Sequence, residues 1–200
     1  MRLPSFARSI SRPLILSAIL SSAALGQAVA APYVMDKSHA HVTFMVDHLG
    51  FSTTHGKFRN FDAQIDFDPD AVEKTRLRFT IDAASVDTAW DARDTHLRSK
   101  DFFNVQKFPE IVFESTSVTP TGADTATVTG NLTIVGQTRP VSLDAKLNNM
   151  GPSPFDAAKT IAGFTVTGEI DRTEFGMTFA APAVGTVIPI RIDLEISPAG

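Results

Sequence analysis

The sequence has no cysteine. That excludes a disulfide framework, a c-type haem attachment pair and the thiolate zinc patterns, and leaves burial of apolar side chains to hold the fold. A chain of this size can do that with a single core. Basic residues are in deficit, 18 Lys and Arg against 22 Asp and Glu, so the chain lacks the positive surface that nucleic acid requires. After residue 30 no apolar run approaches the roughly 20 residues of a membrane-spanning helix. There is no nucleophile elbow and no phosphate-cradling glycine run. Ser38, Ser85 and Ser99 have no recognisable base and acid partners. Internal repeats, low-complexity tracts and long charge runs are also missing.

What is present begins with a leader. Arg2, Arg8 and Arg12, with no acidic residue among them, precede the apolar stretch Leu14 to Leu25, which ends in Ala28-Val29-Ala30. Charge, then a short apolar segment, then small residues is the order of a secretory signal. Residues 1–30 are therefore expected to be a signal peptide cleaved after Ala30, with residues 31–200 forming one periplasmic domain. No Cys follows the apolar stretch, so a lipoprotein anchor is excluded. Losing three arginines takes the net charge from −4 to −7.

From Ala40 onward the dominant period is two. Ala40, Val42, Phe44, Val46 and His48 alternate with His41, Thr43, Met45 and Asp47, which predicts a strand with one dry face. The same reading covers Phe61 to Phe67, Leu77 to Ala83, Ile111 to Val118, Thr125 to Val135, Val141 to Leu147, Gly163 to Asp171 and Val187 to Ser197. Turn residues stand at Asp68-Pro69-Asp70, Thr121 to Asp124, Gly136-Gln137 and Asn148 to Pro152. The segment Trp90 to Lys100 breaks the period and is expected to be a short helix and loop lying across one end. About eight antiparallel strands make the fold all-β, either a two-sheet sandwich or a closed barrel. Runs of ten or more residues favour the barrel.

Several separated stretches are similar to one family. They are Tyr33-Val34-Met35-Asp36, His39 to Phe44, Val46 to Gly50, Gly56-Lys57-Phe58, Arg93-Asp94-Thr95-His96-Leu97, Asp101-Phe102-Phe103, Phe108 to Ile111 with Phe113 to Thr116, Gly130 to Ile134 with Gly136, and Asp171-Arg172 before Phe175-Gly176. Their order resembles the YceI-like proteins, with Ala40 departing from that family's usual Ser. The resemblance implies an eight-stranded antiparallel lipocalin-like barrel with a short helix and loop as a lid. It also implies a non-enzymatic carrier of a non-covalently bound isoprenoid lipid or quinone, or of another long-chain amphiphile. An inner-membrane, quinone-linked cytochrome is the partner it suggests. A stress-response or interaction module without lipid is the alternative, and the oligomeric state is open, a homodimer included.

A long apolar ligand needs a lined tube more than reactive groups, since each buried methylene contributes ~0.8 kcal/mol. The expected lining is Phe44, Phe79, Ile81, Phe113, Leu132, Leu143, Phe164 and Ile190, on the dry faces of successive strands; a solid core built from the same residues is the competing reading. Trp90, Phe102 and Phe103 are the expected ligand contacts from the lid, where Arg93 and Asp94 would tie the segment to the rim and Leu97 would help plug the end. His48 is either a buried imidazole bonded to backbone or a hydrogen-bond donor to a ligand head. Arg172 is expected in a rim network at a turn closing the opposite side. His39 and His41, read as neighbours on one strand face, have chelating spacing, but no carboxylate, Cys or third His stands at a matching offset, so no metal is expected. No residue is assigned a catalytic role.

Overall fold

A computed structural model describes residues 31–199, and the expected signal peptide lies outside the described residues. The strands are β1 (Ala31–Met35), β2 (His41–His48), β3 (Ser52–Phe58), β4 (Phe61–Phe67), β5 (Arg76–Asp82), β6 (Val86–Asp87), β7 (Glu110–Pro120), β8 (Thr125–Ile134), β9 (Gln137–Pro152), β10 (Thr160–Asp171) and β11 (Val187–Pro198), with one helix, α1 (Asp91–Arg98), between β6 and β7. They form a single antiparallel sheet in the order β1-β4-β5-β7-β8-β9-β10-β11, and β11 pairs back onto β1. Eight strands therefore close into a barrel, the arrangement that removes unpaired edges.

Closure depends on a division of labour along β11. Its C-terminal residues Ile196 to Pro198 pair with β1, and its earlier residues Ile190 to Asp193 pair with β2. β1 and β2 are thus two halves of one long strand, interrupted by a 3-10 turn at Lys37–His39 that Asp36 caps by accepting from the Ser38 N–H. β2, β3 and β6 carry the wall beyond the ring. β6 is an edge, and α1 covers it: Arg98 donates from Nε to the Ala84 carbonyl (2.7 Å) and from Nη2 to the Val86 carbonyl (2.8 Å). Carbonyls without a strand partner are thereby bonded, as buried backbone requires.

Two glycines mark places where backbone and ring meet. Gly136, with φ +71, follows Val135 at φ 50 in the two-residue turn between β8 and β9, which needs positive φ at both positions. At Gly56 a Cβ would lie 2.1 Å from Phe44 Cζ, so the Phe44 ring rests on bare backbone.

The alternation divides the barrel into an apolar inside and a polar outside. Ile190, Ile192, Leu194 and Ile196 face inward on β11, while Arg191 and Asp193 form an ion pair outside. This is the inverse of a lipid-embedded barrel, whose apolar residues face out.

Several sequence expectations change. β1, β3 and the two-residue β6 were not anticipated, because none shows the apolar alternation: β3 reads Ser-Thr-Thr-His-Gly-Lys-Phe and gains its place from pairing with β2 along Val42 to His48, and β6 gains its place from pairing with β3. Asn148 to Pro152 is not a turn. β9 continues to Pro152, Asn148 sits as the extra residue of a bulge opposite Gly163 and Phe164, and the chain reverses at 153–159. The strand begun at Leu77 ends at Asp82, where the Asp82 side chain accepts from the Ala84 N–H and starts a 3-10 turn.

Candidate functional site: an apolar cavity under a tied lid

The barrel is not solidly packed. A cavity of about 660 Å³ runs through it, within the range of small-molecule sites. Taking ~30 Å³ per water-sized group, it holds on the order of twenty such groups. Phe44, Phe79, Ile81, Phe113, Leu132, Leu143, Phe164 and Ile190 all line it, as do His48, Trp90, Phe102 and Phe103. Small side chains meet on three neighbouring strands and leave space: Ala126 of β8 pairs with Ala145 of β9, Ala145 pairs with Val166 of β10, and all three face the cavity. Sequence patterning had no signal for this, since Ala, Val and Leu satisfy a dry face equally well.

One end is covered by α1 and the segment after it. Asp94 is buried and accepts from both the N–H (2.8 Å) and the hydroxyl (2.5 Å) of Thr88. The same hydroxyl accepts from Arg93 Nε (2.6 Å), and the Thr88 carbonyl accepts from Arg93 Nη2 (2.7 Å). A residue that sequence reading did not single out, Thr88, is therefore the point at which the lid is tied. Leu97 packs against the core, and Phe103 meets Phe58 edge to face at 5.6 Å. The Arg93 guanidinium lies 5.5 Å from the Trp90 ring.

Arg172 sits at this same end, not the opposite one. It is buried, and its guanidinium donates to the carbonyls of Gly185 (2.9 Å), Val184 (2.8 Å) and Met177. These bonds gather the 177–185 loop, which has no periodicity to announce it, so that Phe179 meets His96 at 5.0 Å and Phe102 at 5.5 Å. Burial lowers the Arg172 pKa from its ordinary value. His48 is not a buried imidazole. As the last residue of β2 before the Leu49-Gly50 reversal it is exposed, and it lines the cavity at the rim, where its backbone bridges to Val184. Leu49, Phe51, Trp90 and Phe179 are exposed in the hairpin, lid and loop at this end.

The two histidines with chelating spacing part company. His39 belongs to the 3-10 turn, while His41 starts β2 and pairs with Asp193. Two carboxylates nevertheless reach His39, one local and one distant: Asp36 Oδ2, from three residues earlier at the cap of the same turn, lies 3.0 Å and Glu195 Oε2 of β11 3.9 Å from His39 Nδ1. Among the described residues these three are the group able to share a metal ion. All stand at the surface, and their contacts already form an ion pair joining the end of β1 to β11. The Asp36 hydrogen bond raises the His39 pKa, and Ser38 and His39 hold the Asp36 carboxyl well below its usual range.

The match to a known family extends over residues 33–196, described as a YceI-like domain. The chain belongs to the YceI-like family. It is 44% identical over 172 residues to the protein YceI of Salmonella arizonae, covering 85% of this chain and 88% of that one. The crystal structure of the Campylobacter jejuni YceI protein matches with a TM-score of 0.68 and 31% identity, over 77% of this chain and 90% of that one. A polyisoprenoid-binding domain from Saccharophagus degradans, implicated in plant cell wall breakdown, shares the fold with a TM-score of 0.61 at 15% identity, over 84% of this chain and 99% of that one. The YceI-like barrel is thus common to chains that differ at most positions, as expected where patterning and closure, more than individual residues, specify the architecture.

Proposed function

We propose that this YceI-like chain is a periplasmic carrier that shelters an isoprenoid-type or other long-chain amphiphilic lipid inside the barrel, without catalysing a reaction on it. The observation that carries the reading is the cavity of about 660 Å³ and its nearly unbroken apolar lining. Burying ten or more chain carbons at ~0.8 kcal/mol each offers several kcal/mol of gross driving force, reduced by the ordering of the tail. The lid gives such a cargo a route past the rim. Sharing a fold with a polyisoprenoid-binding domain is consistent with the reading. The leader Met1 to Ala30 supports export.

The test is native mass spectrometry of the mature protein purified from its own periplasm, with lipid identification after organic extraction. A stoichiometric long-chain lipid is expected. Protein that is empty and takes up no added prenyl quinone would overturn the carrier reading in favour of an interaction module, with the exposed apolar groups of the rim as its contact surface.

A further inference from the structure

The charges that line the cavity are unevenly placed. Among the described residues its one carboxylate is Asp124, in the turn between β7 and β8. Arg93 and Arg172, with the imidazoles of His48 and His96, cluster under α1 and the 177–185 loop. β7 starts beside the lid, since the Ala83 N–H donates to the Pro109 carbonyl and the adjoining Ala84 carbonyl accepts from Arg98 of α1, and it runs for 11 residues, so the two ends stand about 35 Å apart along the strand.

The basic groups differ in what they have left to offer. Arg172 is spent on three backbone carbonyls, and His96 is paired with Asp101 at 3.1 Å. Arg93 is half-buried, and no carboxylate lies within ion-pair distance of it among the described residues. Asp94 is held one hydroxyl away, because Thr88 Oγ1 donates to Asp94 and accepts from Arg93. That relay, together with the Thr88 carbonyl and the Trp90 ring, fixes the plane of the guanidinium, while Nη1 has no partner among the described residues. A cation at an apolar cavity wall without a counter-charge is costly. An oriented guanidinium fork fits the geometry of phosphate and carboxylate oxygens.

We propose that the lid end of the cavity is a subsite for an anionic head group, a phosphate, diphosphate or carboxylate, held by Arg93 with His48 on the facing rim, and that the apolar tail runs from there toward the β7–β8 turn. The inference rests on the carrier reading and narrows its cargo to anionic amphiphiles over neutral ones.

The experiment is isothermal titration of the mature protein with geranylgeranyl phosphate, with geranylgeraniol, which has the same tail, and with inorganic phosphate. Charged hydrogen bonds of this kind correspond to roughly ten- to hundredfold in affinity, so the phosphate is expected to bind at least about tenfold tighter than the alcohol, with the advantage shrinking in salt. Arg93→Gln is expected to bring the phosphate to the level of the alcohol measured in the same variant, which serves as the reference for any change in the lid that loss of the Thr88 bonds causes. Should Arg93→Gln fail to fold, Arg93→Lys, which keeps the charge and loses the fork, is expected to narrow the preference. Equal affinities in the wild type, or a preference unaltered in a folded Arg93 variant, would overturn the head-group assignment. Inorganic phosphate binding as tightly as the lipid phosphate would reduce the site to one for small anions. Tight binding of neither amphiphile would instead count against the carrier reading.

Discussion

Ala145→Phe separates an open barrel from a filled one. Ala145 lies on β9 between Ala126 and Val166 on the flanking strands, and all three face the cavity. The substitution places six ring carbons into space. At somewhat less than the ~30 Å³ of a water molecule each, they remove on the order of 100 Å³ of the 660 Å³ available. In a solid core, overpacking of this kind costs ~1–3 kcal/mol, which for a domain of this size lowers Tm by about 2 to 12 °C. In an open cavity the ring enters empty volume, and Tm is expected to stay within about 2 °C of the wild type. The lost space corresponds to roughly four methylenes of ligand, or ~3 kcal/mol of gross transfer energy at ~0.8 kcal/mol each. After allowance for tail ordering, a prenyl lipid is expected to bind at least about tenfold more weakly. Thermal melting and lipid titration on the same preparation give both numbers. A clear fall in Tm with lipid affinity unchanged would refute the argument, because it would mean that the space is filled and the lipid lies elsewhere.

Three further outcomes follow from the geometry. A Cβ at Gly130 would stand 2.5 Å from the Glu114 carbonyl oxygen and 2.4 Å from Phe113 Cζ, so Gly130→Ala is expected to destabilise by ~1–3 kcal/mol in chemical denaturation. Adding Phe113→Leu should not restore the loss, since the backbone contact remains. The His39–Asp36 pair sets a pH window: with the histidine pKa above its ordinary 6.5, its contribution is full below that value and fades as pH rises through the raised one. With the Asp36 pKa lowered, the contribution of the carboxylate is full above its ordinary 3.8 and fades on acidification. NMR titration should show the His39 midpoint above 6.5 and returning toward it in Asp36→Asn; an unchanged midpoint would refute the pairing. Finally, because the chain has no cysteine, a Phe102→Cys/Phe179→Cys pair bridged by a short bis-maleimide should clamp the lid to the 177–185 loop, whose rings meet at 5.5 Å. Lipid exchange is expected to slow, and equal rates with and without the bridge would show that cargo enters by another route.

The sequence was most legible where one physical rule acted locally. Period-two alternation marked the inward face of β11 residue by residue, and the break in alternation after Trp90 marked the helix. β3 was invisible because its backbone is specified by β2, not by its own polar side chains, and the bulge at Asn148 looked like a turn because Asn, Gly and Pro serve both purposes.

Residue chemistry alone therefore determined an all-β chain with one dry face per strand, a lid-forming segment and the absence of a thiol or basic surface, since each depends on composition or on a local period. The tertiary structure decided the rest. Closure of β11 onto β1 turned dry faces into the wall of a cavity, and the pairing of Ala126 with Ala145 kept that cavity open. Folding brought Glu195 to His39 and left Arg93 without a carboxylate among the described residues, because distances between residues far apart in the chain are fixed only when the ring closes.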